Sequence, residues 1–382
     1  YMYLNISENT FTYTQDANTP EILLTIKDAS GNEITSITGL THKTVTDGKG
    51  TSISGFDITT KGEVITLFDN REITTTSSKT EQWNITVTFV NYDADQSKNA
   101  GKTFVAKLMI QQENLGNQTL AEYVISQYTG TQGSNGIYYH NSTLANGAGD
   151  NSYRYAGASN SVNNYICLGS DKATCPDANL FRIIGVFGDK TKVIRAKSVG
   201  DKQWHTSNDN TWSSSSLNTY LNGEYLTGLG TLADKIATTT WKVGGGTPAN
   251  ISGVVPATAY KNEVGSSSST TTVNKKIGLM YVSDYYYSAS PSAWTLVGYN
   301  SSDATKDYRA ATSTNWLYLS SPEWTISRDS DDTNSAFFVN STGLVGNRGV
   351  TSSFGVRPSF NLLSSVTYAS GSGTSSDPIR IN

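Results

Sequence analysis

The sequence predicts a mainly β protein with some α, in which an N-terminal β-sandwich is followed by an α+β domain. Short runs of alternating apolar and polar residues recur through the first part of the chain. The 382 residues include 34 Gly and only 16% charged residues, and Ser, Thr and Asn lie between the apolar runs, as expected for many turns. Helical spacing of apolar residues is confined to a few short segments. At this length two domains are expected.

The first predicted domain comprises residues 1–113. In 81–89 and 104–110, every second residue is apolar, which places the apolar residues on one face of a strand. No catalytic constellation is visible here, so we expect a β-sandwich spacer that holds the second domain away from a surface. The strand candidates are residues 22–26, 34–37, 64–68, 81–89 and 104–110.

Residues 114–134 are predicted to form a helical linker between the two domains. Thr119 and Glu122 have the spacing of a capping box, in which each side chain satisfies a backbone N–H of the other residue. A short helix over residues 119–128 is therefore expected. The glycines that follow, from Gly130 to Gly136, indicate a loop.

The second predicted domain, residues 135–382, mixes strands with short helices. Residues 137–140 should form its first strand, and Gly188-Asp189 between two apolar runs indicates a tight β-hairpin. Apolar residues recur at helical spacing in two short segments, 213–226 and 232–237.

Two segments of this domain allow more than one interpretation. Residues 242–274 contain Gly244-Gly245-Gly246, but no Lys-Ser/Thr follows as in a phosphate-binding loop, so a flexible insertion is expected. The run Tyr285-Tyr286-Tyr287 fits either an exposed recognition surface or a strand with buried and edge tyrosines.

Residues 316–363 organise the second domain. Three apolar blocks, at 316–319, 336–339 and 354–362, are separated by Asp, Asn, Ser, Thr, Gly and Arg. This pattern is typical of short buried strands that hold polar loops on a rigid scaffold, where recognition sites are common. The buried support is predicted to comprise Trp316, Leu317, Phe337, Val339, Val356, Pro358 and Phe360.

The order Trp-Leu, Ser-Pro, Ala-Phe-Phe-Val, Gly-Leu-Val and Gly-Val-Arg-Pro-Ser-Phe-Asn-Leu resembles the C-terminal part of C-type lectin-like domains. More narrowly, it is similar to the variable proteins of bacteria and phages that retroelements diversify. The resemblance covers residues 135–382, and its most specific part is the block 355–362. It implies a C-type lectin-like fold in which the first strand, 137–139, pairs with a strand near 379–381. It also implies a ligand-binding face used for attachment.

The predicted binding face lies between the apolar blocks, so its backbone should be rigid while its side chains point outward. Arg and Trp are frequent binding hot spots, and Ser, Asn and Thr supply adaptable hydrogen bonds. Most of these residue types can also be reached by adenine changes in an Asn codon, which is how the retroelement-diversified relatives vary. The face comprises Trp324, Ser327, Arg328, Ser330, Asp331, Asp332, Thr333, Asn334, Asn340, Ser341, Asn347, Arg348, Thr351, Ser352 and Ser353.

The two cysteines, Cys167 and Cys175, enclose a short segment that contains the turn-forming run Gly-Ser-Asp. This spacing favours a local disulfide, while two free thiols in a reducing cell would fit the same sequence. A zinc site is disfavoured because no second Cys or His pair completes four ligands. A disulfide implies an extracellular or cell-surface location.

Composition and motifs disfavour nucleic-acid binding and catalysis. The formal net charge is −4 and no basic run occurs, whereas nucleic-acid binding requires a positive footprint. The three histidines, His42, His140 and His205, are far apart, and no Gly-x-Ser-x-Gly motif is present. Residues 329–334 allow either calcium binding or a solvated, ligand-facing loop. We therefore expect no enzyme, no cofactor and no metal site.

The leading hypothesis is a surface-displayed receptor-binding or adhesion protein. Its partner would be a host, bacterial or phage surface ligand, either a protein or a glycan. Two other classes stay open, a structural pilin-like or cell-surface subunit and a hydrolase. Because the chain begins at Tyr1 and not at Met, we expect that an N-terminal segment carrying a signal or a membrane or pilus anchor has been removed.

Overall fold

The computed structural model describes residues 1–62, 64–68, 80–110 and 118–382. It divides into two compact units, Tyr1–Asn117 and Gln118–Asn382. Strands dominate and short helices accompany them, so the predicted mainly β fold class with some α is confirmed. The first residues of the predicted linker, up to residue 117, lie outside the described residues.

The first unit consists of strands and one turn of 3-10 helix (Ser97–Asn99) in the part that the structure describes. Its strands are β1 (Met2–Asn9), β2 (Ile22–Lys27), β3 (His42–Thr46), β4 (Ser52–Asp57), β5 (Val64–Phe68), β6 (Asn84–Phe89) and β7 (Phe104–Ile110).

These strands form a β-sandwich. They pair in two sheets, with the orders β5-β1-β7 and β3-β4-β2-β6. Side chains from both sheets meet in one apolar core, because β1 contributes Leu4 and Ile6 while β2 contributes Leu24 and Ile26. The first unit is therefore held together by burial of apolar side chains between two sheets.

The strand predictions fail at two points in this unit. Residues 34–37 are not a strand, because the chain makes a single bridge at Glu33 and then turns, yet Ile37 still packs in the core. The alternation also breaks down toward the ends of β6 and β7, where Phe89 is 53% and Leu108 is 47% exposed. Apolar alternation alone therefore overestimates the extent of the core.

The second unit combines short α-helices with two larger sheets. Its helices are α1 (Leu120–Ser126), α2 (Ser216–Tyr220), α3 (Leu226–Gly228), α4 (Pro248–Ile251), α5 (Pro256–Glu263) and α6 (Val282–Tyr287), with a π-helical segment (Leu221–Tyr225) between α2 and α3. Turns of 3-10 helix lie at Ser134–Gly136, Asp177–Asn179, Trp212–Ser214, Gly230–Lys235, Pro291–Ala293, Ala304–Lys306 and Tyr308–Thr314. No helix among the residues described here has the length and apolar character that a membrane span requires.

The strands of the second unit fall into two larger sheets and two pairs. They are β8 (Ile137–Tyr139), β9 (Tyr153–Tyr155), β10 (Tyr165–Cys167), β11 (Leu180–Phe187), β12 (Lys190–Arg195), β13 (Asp201–Gln203), β14 (Thr239–Lys242), β15 (Thr272–Lys275), β16 (Ile277–Gly278), β17 (Glu323–Arg328), β18 (Ser335–Val339), β19 (Val345–Gly349), β20 (Ser353–Gly355), β21 (Ser359–Asn361), β22 (Tyr368–Ser370) and β23 (Arg380–Ile381). One sheet has the order β16-β21-β12-β11-β9-β8, with β10 also paired to β11. The other has the order β13-β20-β17-β18-β19.

The predicted hairpin at Gly188-Asp189 is confirmed. Phe187 pairs with Lys190, so the connection between β11 and β12 has only two residues. Gly188 adopts a φ of +64°, which a residue without a side chain reaches easily at the start of such a turn.

The capping box of α1 is confirmed, but the helix is not a linker. Thr119 Oγ1 accepts the N–H of Glu122, and the Glu122 carboxylate accepts the N–H of Thr119. Leu120 and Val124 are buried in the core of the second unit. A helix that buries its apolar face in one core belongs to that unit, and α1 is its first element.

The pairing expected between the first and last strands of this unit is wrong. Strand β8 pairs with β9, and β23 pairs with β22. The C-terminal segment instead joins β10 through a parallel bridge between Ile166 and Ile379. Each terminal strand thus pairs with one close to it in sequence, which needs only a short loop.

Both interpretations of Tyr285-Tyr286-Tyr287 are wrong. The three residues lie in helix α6, and each is at most 1% exposed. Their hydroxyls donate to main-chain carbonyls, so burial of the phenols is compensated. Residues 242–274 are not a flexible insertion either, since they contain α4 and α5 and pair β14 with β15.

Candidate functional site

The buried support predicted beneath the ligand face is confirmed. Each of these side chains is buried in the second unit, and most are completely inaccessible. All of them except Pro358 belong to one apolar core, which also contains residues of α6. The residues are Trp316, Leu317, Phe337, Val339, Val356, Pro358 and Phe360.

A buried ion pair joins the third apolar block, residues 354–362, to the start of β17. Arg357 Nε lies 2.6 Å from Glu323 Oε2, and Arg357 Nη2 lies 2.6 Å from Glu323 Oε1. The same Nη2 donates to the carbonyl of Leu317 at 2.6 Å. Burial raises the pKa of Glu323, while the charge of Arg357 opposes that shift. Arg357 therefore has a structural role here.

The candidate site lies where β17 turns into β18. We call residues 329–334, which connect these strands, the tip loop. Strands β18 and β19 form an antiparallel hairpin in which Ser335 pairs with Gly349. The turn after β19 therefore adjoins the tip loop. The N–H of Val350 donates to the carbonyl of Asn334 at 2.8 Å and joins the two segments.

Asn210 holds the tip loop, although it lies far from it in sequence. Its side chain is 1% exposed, and Nδ2 donates to the carbonyls of Asp329, Asp332 and Ser335 at 2.8, 2.5 and 2.8 Å. Its own N–H donates to the carbonyl of Thr333 at 2.8 Å. One buried residue thus contacts the loop from its beginning to its end.

The Gly244-Gly245-Gly246 triplet packs against the start of the tip loop. Gly246 accepts the N–H of Ser330 at 3.0 Å, and Arg328 Nε donates to the carbonyl of Gly244 at 3.1 Å. Gly245 has a φ of +62°, and a Cβ atom there would overlap the carbonyl oxygen of Arg328. This close approach of two backbones requires glycine.

The carboxylates of the tip loop form hydrogen bonds with neighbouring residues. Asp329 accepts the N–H of Asp331 at 3.0 Å and Asn347 Nδ2 at 2.5 Å, and Asp332 accepts the hydroxyl of Ser335 at 2.7 Å. Burial raises the pKa of Asp329, and the charges of Asp331 and Asp332 raise it further. Across the described ranges, no three or more His, Cys, Asp or Glu side chains are grouped as metal ligands. The hydrogen bonds of Asp329 and Asp332 contribute to the shape of the loop.

Most of the predicted face residues gather around the tip loop. We call this group the tip surface. Its exposed members are Ser330, Asp331, Thr333, Asn347, Arg348, Thr351 and Ser353, and its half-buried members are Arg328, Asp332, Asn334 and Ser352.

Two predicted face residues do not point outward. Trp324 is 1% exposed, its ring centroid lies 4.7 Å from that of Phe354, and its Nε1 donates to the carbonyl of Lys202 at 3.0 Å. Ser327 is also 1% exposed, and its hydroxyl donates to the buried carboxylate of Glu263. Both lie within β17, and other segments of the second unit cover both faces of this strand. The prediction of an outward side chain is wrong for both.

Asn340 and Ser341 lie apart from the tip surface. They form the turn between β18 and β19, at the opposite end of that hairpin from the tip loop. The carbonyl of Ser341 accepts the hydroxyl of Tyr318 at 2.6 Å. The predicted face is therefore divided between two ends of one hairpin.

The structure adds residues that sequence reasoning missed. Asn210 and Gly245 position the tip loop, and Glu263 accepts the N–H groups of Val282 and Ser283 at 2.8 and 2.9 Å, besides the Ser327 hydroxyl. Burial raises the pKa of Glu263, and these hydrogen bonds oppose the shift. Asn210 lacks a local sequence signal, whereas three consecutive glycines could have indicated a close backbone contact.

The predicted disulfide is confirmed. Cys167 and Cys175 are bonded and close a loop at the end of β10. Arg380 donates to the carbonyls of Ser170 and Lys172 in this loop, each at 2.7 Å. The disulfide loop therefore holds the side chain of Arg380, which lies in β23.

The three histidines contact their own surroundings. His42 faces the carboxylate of Glu33 at 2.9 Å in the first unit. In the second unit, His140 and His205 each accept a backbone N–H through Nδ1, at 3.1 and 3.2 Å. Burial lowers the pKa of His140 well below its usual value, and the charge of Arg154 lowers it further. These contacts give the rings structural roles.

A family model described as a domain of unknown function (DUF6273) matches residues 188–364. The matched segment contains Asn210, the glycine triplet and the tip surface. No match was found among curated proteins. No solved structure matches the chain.

Proposed function

We propose that the second unit is a ligand-binding module of a surface-displayed receptor-binding or adhesion protein, and that the tip surface is its binding face. The observation that carries this proposal is the buried side chain of Asn210, which spans the tip loop with three hydrogen bonds. A loop whose shape is set from beneath leaves its outward side chains free to contact a ligand.

Preorganisation favours binding because less conformational entropy is lost when the ligand arrives. Ser330, Asp331 and Thr333 are exposed on the fixed loop, and Asn347 and Arg348 are exposed on the neighbouring strand. This set combines a guanidinium with short hydroxyl and amide groups. Such groups can form hydrogen bonds to either a protein surface or a glycan.

The location and partners of the protein follow from the same proposal. The disulfide supports a place outside the reducing cytosol, at the cell surface or beyond it. The partner is a protein or glycan on a host, bacterial or phage surface, and the first unit acts as a spacer. The resemblance of residues 316–363 to C-type lectin-like variable proteins supports attachment as the role.

The test is a screen of the full chain on arrayed glycans and arrayed purified host surface proteins. A tip variant combines Ser330→Ala, Asp331→Ala, Thr333→Ala and Arg348→Ala. We expect it to lose the binding that the wild type shows, with an unchanged melting temperature, because these side chains are exposed.

The matched control combines Ser341→Ala and Thr342→Ala, which are exposed at the opposite end of the hairpin. This control should bind as the wild type does. Binding that survives in the tip variant and disappears in the control would overturn the assignment of the face.

A further inference from the structure

Strand β19 is an open edge of the second unit. It ends the sheet of order β13-β20-β17-β18-β19 and pairs only with β18 among the described residues. At the other ends of the two larger sheets, β16 has two residues and β8 and β13 have three each, whereas β19 has five. Short edge strands, proline and lysine commonly prevent a second chain from adding to a sheet. Strand β19 is longer than the other edges and contains neither proline nor lysine.

The register between β18 and β19 determines which main-chain groups face outward. The N–H of Val350 donates to the carbonyl of Asn334 at 2.8 Å, just beyond one end of the ladder. The N–H of Asn340 donates to the carbonyl of Leu344 at 2.9 Å, just beyond the other end. Hydrogen-bonded pairs alternate with non-bonded pairs in an antiparallel ladder, so every second residue of β19 points its N–H and C=O away from β18. These residues are Val345, Asn347 and Gly349.

The two ends of this outward row already bind main-chain groups. The N–H of Val345 donates to the carbonyl of Gly298 at 3.2 Å, and the C=O of Gly349 accepts the N–H of Ser352 at 2.9 Å. Between them, the main-chain N–H and C=O of Asn347 have no hydrogen-bond partner among the residues that the structure describes. Asn347 is exposed. An added strand would therefore continue the row of hydrogen bonds that Gly298 begins.

One face of β19 indicates which side chains an added strand would carry. Gly346 pairs with Phe338 and Arg348 pairs with Ala336, so these two residues of β19 share one face of the sheet. A Cβ atom on Gly346 would lie 3.5 Å from the half-buried ring of Phe338. A large apolar side chain opposite the glycine would reach this ring. Arg348 is exposed and forms no ion pair within the described ranges, so an acidic side chain opposite it would match its charge.

We propose that β19 binds an extended segment of a partner protein, which adds to the sheet as a further strand. The inference rests on the proposed function and names its ligand class, a polypeptide in the β conformation. In such strand addition, main-chain hydrogen bonds provide affinity and alternate side chains provide specificity. The segment carries a large apolar residue and an acidic residue two positions apart, because side chains on one face of a strand have a period of two.

The location of β19 connects this inference with the tip surface. Asn347 and Arg348 belong to both, and Gly349 pairs with Ser335 at the end of the tip loop. A strand added along β19 therefore passes beside the tip loop. Residues of the partner that follow this strand would contact the exposed side chains of Ser330 and Asp331.

The first experiment selects short random linear peptides, displayed on phage, on the immobilised full chain. We expect enriched peptides with an acidic residue two positions from a large apolar residue. Arg348→Glu should weaken the binding of such a peptide about fivefold, because like charges then lie opposite each other. Exchanging the acidic residue of the peptide for lysine should restore binding to this variant and weaken binding to the wild type.

The second experiment tests the main chain of the selected peptide. An N-methyl group is placed at each peptide position in turn, and binding to the wild-type chain is measured. In strand addition, only alternate N–H groups of the peptide face β19. Methylation should therefore abolish binding at every second position across the bound segment and be tolerated at the positions between.

A pair of variants tests the main chain of β19. Asn347→Pro removes the outward N–H and keeps the hydrogen bonds to β18, because proline is compatible with an edge strand whose N–H faces solvent. Asn347→Ala keeps this N–H and removes only the side chain, with its hydrogen bond to Asp329. Proline should weaken peptide binding about tenfold more than alanine does. Melting temperatures show whether both variants are folded, and the methylation experiment does not depend on them.

Three results would contradict strand addition. The first is a selection that enriches no linear peptide over an unrelated immobilised protein. The second is a methylation profile without alternation. The third is a concentration-dependent dimer of the full chain that Asn347→Pro abolishes, since a second copy would then occupy the edge.

These results are distinguishable from failure of the proposed function. Array ligands that bind the wild type, are lost in the tip variant and are all glycans would support the tip surface and refute strand addition. Array ligands that bind the tip variant as tightly as the wild type would refute the tip surface, whereas an alternating methylation profile would still support peptide binding at β19.

Discussion

The side-chain Nδ2 of Asn210 lies 2.5 Å from the carbonyl oxygen of Asp332 and fixes a loop 122 positions further along the chain. This contact is one of three that the same amide makes to the tip loop. It separates two roles among the polar residues of this region. The buried amide holds the loop from beneath, whereas the side chains of Ser330, Asp331 and Thr333 on the loop are exposed.

Replacing Asn210 should loosen the tip loop. In Asn210→Asp the amide donor is replaced by a buried carboxylate that faces three carbonyl oxygens. The hydrogen bonds to the loop are lost, and a negative charge must be buried without a partner. We expect a loss of about 1–3 kcal/mol in the free energy of unfolding. Hydrogen exchange of the backbone N–H of Asp331, which donates a hydrogen bond to the Asp329 carboxylate, should accelerate.

Asn208→Asp is the matched control, because Asn208 is exposed two positions away. It should change neither the free energy of unfolding nor the exchange rate. Equal effects of the two substitutions would show that Asn210 does not organise the loop.

Gly245→Ala should destabilise the second unit and disturb the tip loop. The residue has a φ of +62°, and the added methyl group would overlap the carbonyl oxygen of Arg328. Gly223→Ala is the control, since Gly223 lies in the π-helical segment with open space around it. There alanine should be neutral or stabilise by about 0.5–1 kcal/mol. Thermal unfolding compares the two, and a tolerated Gly245→Ala would contradict the close backbone contact.

The disulfide and Arg380 should act as one unit. Cys175→Ser should lower the free energy of unfolding by about 2–3 kcal/mol through loop entropy. Without the disulfide, the carbonyls that accept hydrogen bonds from Arg380 should be less well positioned. Arg380→Gln should therefore reduce the free energy of unfolding by less in the Cys175→Ser background. Denaturant unfolding of the single and double variants measures the coupling. Arg348→Gln is the control, and its effect on the free energy of unfolding should be the same with and without Cys175→Ser. If the effect of Arg380→Gln is also the same in both backgrounds, the link between Arg380 and the disulfide is refuted.

Asp150 should make the second unit sensitive to acid. Burial alone would raise its pKa, but the charge of Arg154 and hydrogen bonds from Ser152 and Tyr260 hold that pKa at about 2. A carboxyl group with a lowered folded pKa stabilises the fold above its unfolded pKa, and this stability is lost as pH falls through the folded pKa.

Asp150→Asn should therefore cost about 2 kcal/mol at neutral pH, and the difference from the wild type should shrink as the pH falls from about 4 to 2. Denaturant unfolding across this pH range measures it. A difference that stays constant down to the lowest pH would show that the ionised carboxylate is not responsible.

The sequence predicted the parts of the fold that depend on local pattern. Phe337 and Phe360 lie in apolar blocks, and both are completely buried. The Gly188 hairpin and the Thr119 capping box depend on residues a few positions apart. In each case the physical cause lies within one short window of the chain.

Features that depend on distant segments were missed. Trp324 sits among polar residues in the sequence, but β13 and β20 bring Lys202 and Phe354 onto it. A register shift in the pairing of β17 with β18 further obscures which of its residues face outward. Asn210 likewise meets the tip loop only after the chain has folded.

The most direct test of the account is to locate the bound ligand on the protein. A ligand selected from the arrays is added to the full chain, and hydrogen exchange is compared with and without it. We expect protection to increase in residues 329–335 and 347–353 and to stay unchanged in residues 340–344. Protection confined to residues 340–344, or to the first unit, would contradict the assignment of the tip surface as the binding face.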